Sequence, residues 1–312
     1  MKNLKIDADG NIISGISFIL IISCIILFIV LLNMIYLLNN ENIDSIANDN
    51  FKYVLDDYIQ NIEFLTYDSV KELSNKIISS KIPSKNSQND IKKILNKKLD
   101  EKNKEYYEKY NIKIESEAIS IENSENPRYI IAKIKIDAFK DDEKFNRIVE
   151  SRISVSGLND PLPILMCGYH PSFTYNKTNI LYKDSLADFL KKNNIKEHIG
   201  YKNAISPFII KFCPYDPYTH HGDNFTLNDC LRNGYYHESS DGSCYLCRLE
   251  GKGICPHYGF ETFIIAFSNE SQSVSALDHV VFHDMYLGDK YYYYANKSLF
   301  LDSSHKLKYG LV

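Results

Sequence analysis

Tryptophan is absent from this 312-residue chain, and no cysteine falls between residues 25 and 166. No charged side chain occurs from Ile12 to Leu38. Neither sign of charge dominates, the formal net charge being −4. A nucleic-acid partner needs a strongly basic face, so none is expected. The chain has no GxGxxG, no GxxxxGK[ST], no GxSxG and no HExxH. Nothing therefore calls for a dinucleotide, a bound nucleoside triphosphate, a serine nucleophile or a zinc-protease helix. No catalytic residue and no cofactor are assigned, and an enzyme is not expected.

The uncharged stretch is the strongest positive signal. Its densest part is Ile16–Leu32, ISFILIISCIILFIVLL. A helix needs about 20 mainly apolar residues to cross a hydrocarbon layer about 30 Å thick. A cleaved secretory signal has an apolar core of only about 7–15 residues and ends at a small-residue site, which NMIYLLNNENID does not offer. Residues 12–38 therefore read as one retained transmembrane helix in membrane lipid, with Asn33 and Tyr36 suited to its interface. Lys2 and Lys5 precede the span, whereas Glu41, Asp44, Asp49, Asp56 and Asp57 follow it with only Lys52 among them. That asymmetry places the leader, residues 1–11, in the cytoplasm and the rest outside.

Beyond the span, residues 39–110 read as a helical stalk. Ile43, Ile46, Phe51, Val54, Leu55, Tyr58, Ile62, Leu65, Leu73 and Ile77 recur at three- and four-residue spacing. Pro83 interrupts the pattern, because the residue before a proline is pushed out of the helical region. A second helix, from about Asn89 to Tyr110, carries Ile91, Ile94, Leu95 and Leu99 on one face. Its lysine-rich 92–108 reads as a solvated face, with docking to an envelope complex as the sharper alternative.

Residues 111–312 form the outer domain. Ile112, Ile114, Ile119 and Ile121 predict a strand, Asn123–Pro127 a turn, and Tyr129–Asp137 its antiparallel partner, followed by a third strand near Phe145–Val155. From 157 onward the chain is loop-rich. Helices are predicted at Ser185–Lys192 and after Thr226, the latter capped by Thr226 with Asp229 reaching back. Strands are predicted at Ile205–Phe212, Glu261–Phe267, His279–Leu287 and Tyr291–Ala295. The expected fold class is α+β: a transmembrane helix extended by further helix, then an antiparallel sheet with a disulfide-rich, loop-rich C-terminal part.

The cysteines sharpen that picture. Cys24 lies in the span as a small apolar residue. Cys167, Cys213, Cys230, Cys244, Cys247 and Cys255 are even in number and fall in the outward part, the pattern of a disulfide framework. Four glycosylation sequons, at Asn176, Asn224, Asn269 and Asn296, lie in the same part. The alternative is zinc. Cys244-x2-Cys247-x7-Cys255-x-His257 offers the four sulfur and nitrogen donors that a tetrahedral site takes. His220 and His221, with Asp216 and Asp223 nearby, are a weaker metal candidate, as are His279 and His283 with Asp278 and Asp284. Tyr291–Tyr294 puts rings on both faces of a strand, which sheet packing accounts for better than a sugar-binding platform.

The leader Lys5-Ile-Asp-Ala-Asp-Gly10, followed at once by the apolar helix, resembles the start of archaeal type IV pilin-like proteins. Gly157-Leu-Asn-Asp-Pro-Leu162, Asp241-Gly-Ser-Cys-Tyr-Leu-Cys-Arg-Leu-Glu-Gly251 and Gly259-Phe-Glu-Thr-Phe263 resemble uncharacterised archaeal membrane-anchored surface proteins with such N-termini. The resemblance implies clipping after Gly10 by a prepilin peptidase. It also implies other envelope or pilin-like proteins, or cell-surface glycans, as partners. Gly15 stands where pilins carry Glu. The expected role is a single-pass, pilin-like or adhesin-like extracytoplasmic surface glycoprotein. The alternative is a membrane-tethered enzyme or zinc-binding module built on Cys244, Cys247, Cys255 and His257.

Overall fold

The structure is a computed structural model that describes residues 8–167, 179–182, 184–192, 204–266, 273–276, 291–294, 297–301 and 303–311. The chain divides into two compact units, Met1–Tyr58 and Ile59–Val312. The first helix, α1 (Ala8–Ser80), contributes to both. In the first unit its segment Phe18–Ile35 has a mean hydropathy of 3.1, and none of its residues is buried in protein. A helix apolar all round with no protein against it is long enough, and apolar enough, to cross a membrane.

The second unit opens with a helical hairpin. Its first arm is residues 59–80 and its second is α2 (Ser87–Tyr110). Lys81 adopts the left-handed conformation with φ 59°, and Asn86 caps α2 by accepting from the Asn89 amide at 2.9 Å. α2 ends at Asn111, also left-handed, whose amide returns to the Tyr107 carbonyl. The arms run antiparallel. Asn61 donates to Tyr106, while the Lys98 ammonium bridges Asp68 at 2.6 Å and Glu72 at 2.8 Å. Ile62, Val70, Leu73 and Ile77 are buried from one arm, and Ile91, Leu95 and Leu99 from the other. Of the lysines of 92–108, Lys93 and Lys97 are exposed and pair with Asp90 and Glu101 of the same helix, whereas Lys98 is turned to the other arm. Such exposed pairs add little stability.

α2 lies along a three-stranded antiparallel meander of β1 (Lys113–Asn123), β2 (Tyr129–Lys140) and β3 (Glu143–Ser154), in the order β1-β2-β3. Asn96 fixes the docking by accepting from the Ala118 amide at 2.8 Å. β2 is the central strand and alternates strictly, burying Ile130, Ala132, Ile134, Ile136 and Ala138. β1 does not alternate strictly. A register shift between Ala118 and Ser120 inserts one residue. The buried set therefore runs Ile112, Ile114, Ala118, Ile121, and Ile119 turns outward.

The remaining described elements are α3 (Leu162–Cys167), β4 (Asn179–Leu181), α4 (Asp184–Lys192), β5 (Ala204–Pro207), a 3-10 turn (Tyr218–Gly222), α5 (Asn224–Asn233), β6 (Tyr236–Ser239), α6 (Tyr245–Leu249), β7 (Gly259–Ala266), β8 (Ser273–Ala276), β9 (Tyr291–Tyr294), β10 (Lys297–Phe300) and α7 (Ser303–Lys308). Their sheet runs β4-β5-β7-β8-β10-β9, with β6 also paired to β7. Its pairs are antiparallel except β8 with β10, which are parallel. The fold is α+β, as expected. Two local expectations change. The strand from Ile205 ends at Pro207, because the chain then leaves the sheet for single bridges at Ile209 and Phe212. α5 is capped by Asp223, which accepts the Thr226 amide at 2.7 Å, and not by Thr226. Asp229 instead accepts from Tyr215 and Arg232. The predicted strand at His279–Leu287 lies outside the described residues.

Candidate metal centre

Cys244 immediately precedes α6 and Cys247 lies within its first turn. The C-x2-C spacing therefore brings two sulfurs to one end of a short helix. Cys255 and His257 come from the loop that leads into β7. That loop returns because two glycines allow close backbone contact. A Cβ on Gly259 would stand 2.3 Å from the Ser243 carbonyl carbon, and one on Gly242 would stand 2.3 Å from the Phe260 oxygen. Only hydrogen fits at either place, and the Phe260 amide donates to the Ser243 carbonyl across the contact.

The four donor atoms of Cys244, Cys247, Cys255 and His257 lie within 4.8 Å of one another. His257 Nδ1 is 3.6 Å from the sulfurs of both Cys244 and Cys247. Tetrahedral zinc, with Zn–S about 2.3 Å and Zn–N about 2.0–2.1 Å, holds its ligand atoms about 3.3–3.8 Å apart. The two His257–sulfur separations fall in that range. Cys244 and Cys247 are buried, Cys255 is half-buried and His257 is exposed. The Cys244 amide also points at the Cys255 sulfur, at 3.4 Å.

Three thiols this close compete for protons. Hydrogen bonds from Cys244 and Cys247 hold the Cys255 thiol far below its ordinary range. Cys247 is driven far above it by its bonds to Cys244 and Cys255 and by burial. Cys244 ends at about 11: its bond from Cys247 pulls it down, while Cys255 and burial outweigh that. A metal ion held by these residues would require all three sulfurs deprotonated.

The site is anchored from behind. Arg248, fully buried, follows Cys247. Its guanidinium donates to the carbonyls of Ser243 (3.1 Å) and Phe260, and to Asp160 Oδ2 at 2.7 Å. Asp160 is equally buried and also accepts from the Tyr236 hydroxyl and the Leu162 amide. Glu250, just after α6, accepts the amide and hydroxyl of Ser87 at 2.9 Å each, which ties the site to the N-terminus of α2.

No disulfide is closed among the described cysteines. The side chain of Cys167 lies outside the described residues, and Cys24 stands exposed on α1. A disulfide within the Cys244 cluster would use two of three mutually adjacent sulfurs and strand the third. Asn224 opens α5, whereas Asn176, Asn269 and Asn296 lie outside the described residues, as do Asp278, His279, His283 and Asp284. Of Tyr291–Tyr294 the structure describes the strand backbone alone. The His220/His221 pair is split, with His220 exposed and His221 buried beside Cys213, Cys230 and His237. Asp223 is committed to its helix cap.

A residue with no sequence signal also proves central. Glu261 is buried on β7, 3.0 Å from His305 and from the Lys308 ammonium and 2.5 Å from the Tyr309 hydroxyl. Burial alone would raise its pKa, but the Lys308 charge, His305 and Tyr309 together hold it well below the carboxylate range. A carboxyl depressed on folding contributes stability that is complete above its unfolded pKa, about 4.3, and is lost as pH falls through and below that value. Glu261→Gln is expected to lower the melting temperature near neutral pH, with a deficit that shrinks as the pH is taken below 4. Calorimetry of both proteins across that range checks it, and a deficit independent of pH would count against the pairing.

Comparison with family models, curated proteins and solved structures finds no match to this chain.

Proposed function

We propose that this protein is a membrane-anchored surface protein with a structural or interaction role, whose outer domain is stapled by zinc at Cys244, Cys247, Cys255 and His257. One observation carries the reading: three sulfurs and an imidazole nitrogen converge within 4.8 Å, at separations that suit tetrahedral zinc. Sulfur with imidazole in a tetrahedral set selects zinc over magnesium, calcium or manganese. Four protein ligands leave no open position for water or substrate, so the metal organises the domain and performs no reaction. Arg248, Asp160 and Glu250 serve as the supporting shell that keeps such ligands oriented.

Attachment at the membrane rests on Phe18–Ile35, and the outward orientation on Lys2 and Lys5 before the span and the acidic run after it. The pilin-like leader is in keeping with a surface location. A cation bound by all three sulfurs also keeps them from oxidising in pairs.

The experiment is metal analysis and mass spectrometry of full-length protein from its native membrane, with protease digestion of intact cells alongside. Zinc bound to the chain, and cleavage of the outer domain from outside, are the expected results. Absence of zinc, with the thiols unreactive until reduced, would remove the staple. An intact Met1 together with complete protection from protease would remove the surface assignment.

A further inference from the structure

Cys213, His221, Cys230 and His237 stand apart from the Cys244 cluster, and each comes from a different element. Cys213 follows the bridge at Phe212. His221 is in the 3-10 turn, Cys230 in the last turns of α5, and His237 on β6. All four are buried, at 0–1% exposure. Their donor atoms lie within 4.8 Å of one another. His237 Nε2 is 3.1 Å from the Cys230 sulfur and 3.2 Å from His221 Nε2, which is 3.5 Å from the Cys213 sulfur.

The imidazoles are aimed. His221 Nδ1 sits 2.7 Å from the Tyr218 carbonyl. A carbonyl only accepts, so Nδ1 carries the proton and Nε2 offers its lone pair to the cluster. Zinc-bound histidines are commonly held by such a second-shell bond to a backbone carbonyl. Among the described residues His237 Nδ1 has no hydrogen-bond partner, and this ring is positioned through Nε2 and by the aromatic rings around it. Tyr218 and Tyr309 meet it edge-on at 5.1 and 5.0 Å, and Phe263 lies tilted against it at 4.9 Å. Two imidazole nitrogens and two sulfurs converge in an aromatic shell, where polar groups need a partner in common.

We infer that Cys213, His221, Cys230 and His237 bind a second zinc ion, enclosed in the core and locked in by the C-terminal segment. The lock is visible in the packing. Tyr309 also lies 5.4 Å from the His221 ring, and Leu311 belongs to the same buried cluster. Gly310, at φ 65°, lets that segment pass the 3-10 turn, where an added Cβ would meet the Thr219 oxygen at 2.3 Å. Glu261 holds the segment from the other side through His305, Lys308 and Tyr309. The ion enters as the chain folds and leaves only when this segment opens, unlike one at the Cys244 site, where His257 is exposed.

The test uses full-length protein purified in detergent without chelator. Native mass spectrometry is expected to give two zinc ions per wild-type chain and one in each of Cys230→Ser and Cys247→Ser. Exchange with excess cobalt(II) is expected in two phases, the slower roughly tenfold or more slower because it requires local opening. The slow phase should vanish in Cys230→Ser, and the fast one in Cys247→Ser. His237→Cys covers the case in which Cys230→Ser does not fold. It adds a thiolate to the enclosed site, so the sulfur-to-cobalt charge-transfer band of its slow phase should strengthen. One zinc per wild-type chain, held by the Cys247-dependent site, would overturn the inference and leave the proposed staple standing. One zinc that survives Cys247→Ser would overturn the staple instead. A single fast phase for both ions would overturn the lock.

Discussion

Stripping metal from the unfolded chain and refolding without it is expected to leave the described elements from β5 to α7 without stable structure. The hairpin and the β1–β3 meander should refold. Structural zinc contributes an apparent 10–16 kcal/mol or so in small zinc-binding peptides, which rivals or exceeds the whole stability of a typical domain. The region concerned has short strands and loops. β5 and β6 have four residues each and α6 has five. Elements this brief bury little apolar area and cannot offset their own ordering entropy. The meander, by contrast, has strands of 11 and 12 residues over a continuous aliphatic layer with α2 against it. Hydrogen exchange measured by residue, with and without zinc, checks the division. Equal protection of β6 and β7 in the two samples would show that the clusters do not hold the domain.

The second large effect concerns the buried ion pair. Asp160→Ala is expected to cost about 3–5 kcal/mol, because it leaves the Arg248 guanidinium charged and uncompensated in the interior. Both side chains are wholly inaccessible to solvent and joined at 2.7 Å. The Tyr236 hydroxyl would also lose a partner. Pairing Asp160→Leu with Arg248→Met removes both charges and should recover part of the loss, since a buried pair is commonly replaceable by apolar groups. Arg248 also grips the Ser243 carbonyl, next to Cys244, and the Phe260 carbonyl, three residues beyond His257. Zinc affinity should therefore fall about 10–100-fold in folded Asp160→Ala, as when other supporting residues of metal sites are lost. Denaturant titration and zinc competition together decide. A loss below about 1 kcal/mol with unchanged zinc affinity would contradict both parts.

Much of the first half was legible because its information is local. The period of Ile62, Leu73 and Ile77, the break at Pro83 and the alternation of β2 each express contacts made within one element or to a sequence neighbour. Ile119 shows where this fails. It was read with Ile121 as part of one strand pattern, but the bulge at Ala118–Ser120 turns it outward while Ile121 stays buried, and a bulge is set by pairing with β2. The helix cap failed similarly. Thr226 and Asp223 both suit the position, and the turn at Tyr218–Gly222 decides where the helix begins.

The cysteines divide along the same line. Their clustering and an outward location favoured disulfides, and the Cys244-x2-Cys247 spacing kept zinc as an alternative because two ligands share a helical turn. Nothing joined Cys213, His221, Cys230 and His237, which occupy four elements at unrelated spacings, and His221 was grouped with its exposed neighbour His220.

By itself the sequence determined an uncharged helix long enough to cross a membrane, the hairpin after it and the three-stranded meander, since these follow from periodicity and from the length of an apolar run. Only the tertiary structure decided which cysteines stand with which histidines, and that the C-terminal segment covers one of the two clusters. A ligand set depends on distances between elements far apart in the chain, and those distances exist only once the sheet has brought the elements together.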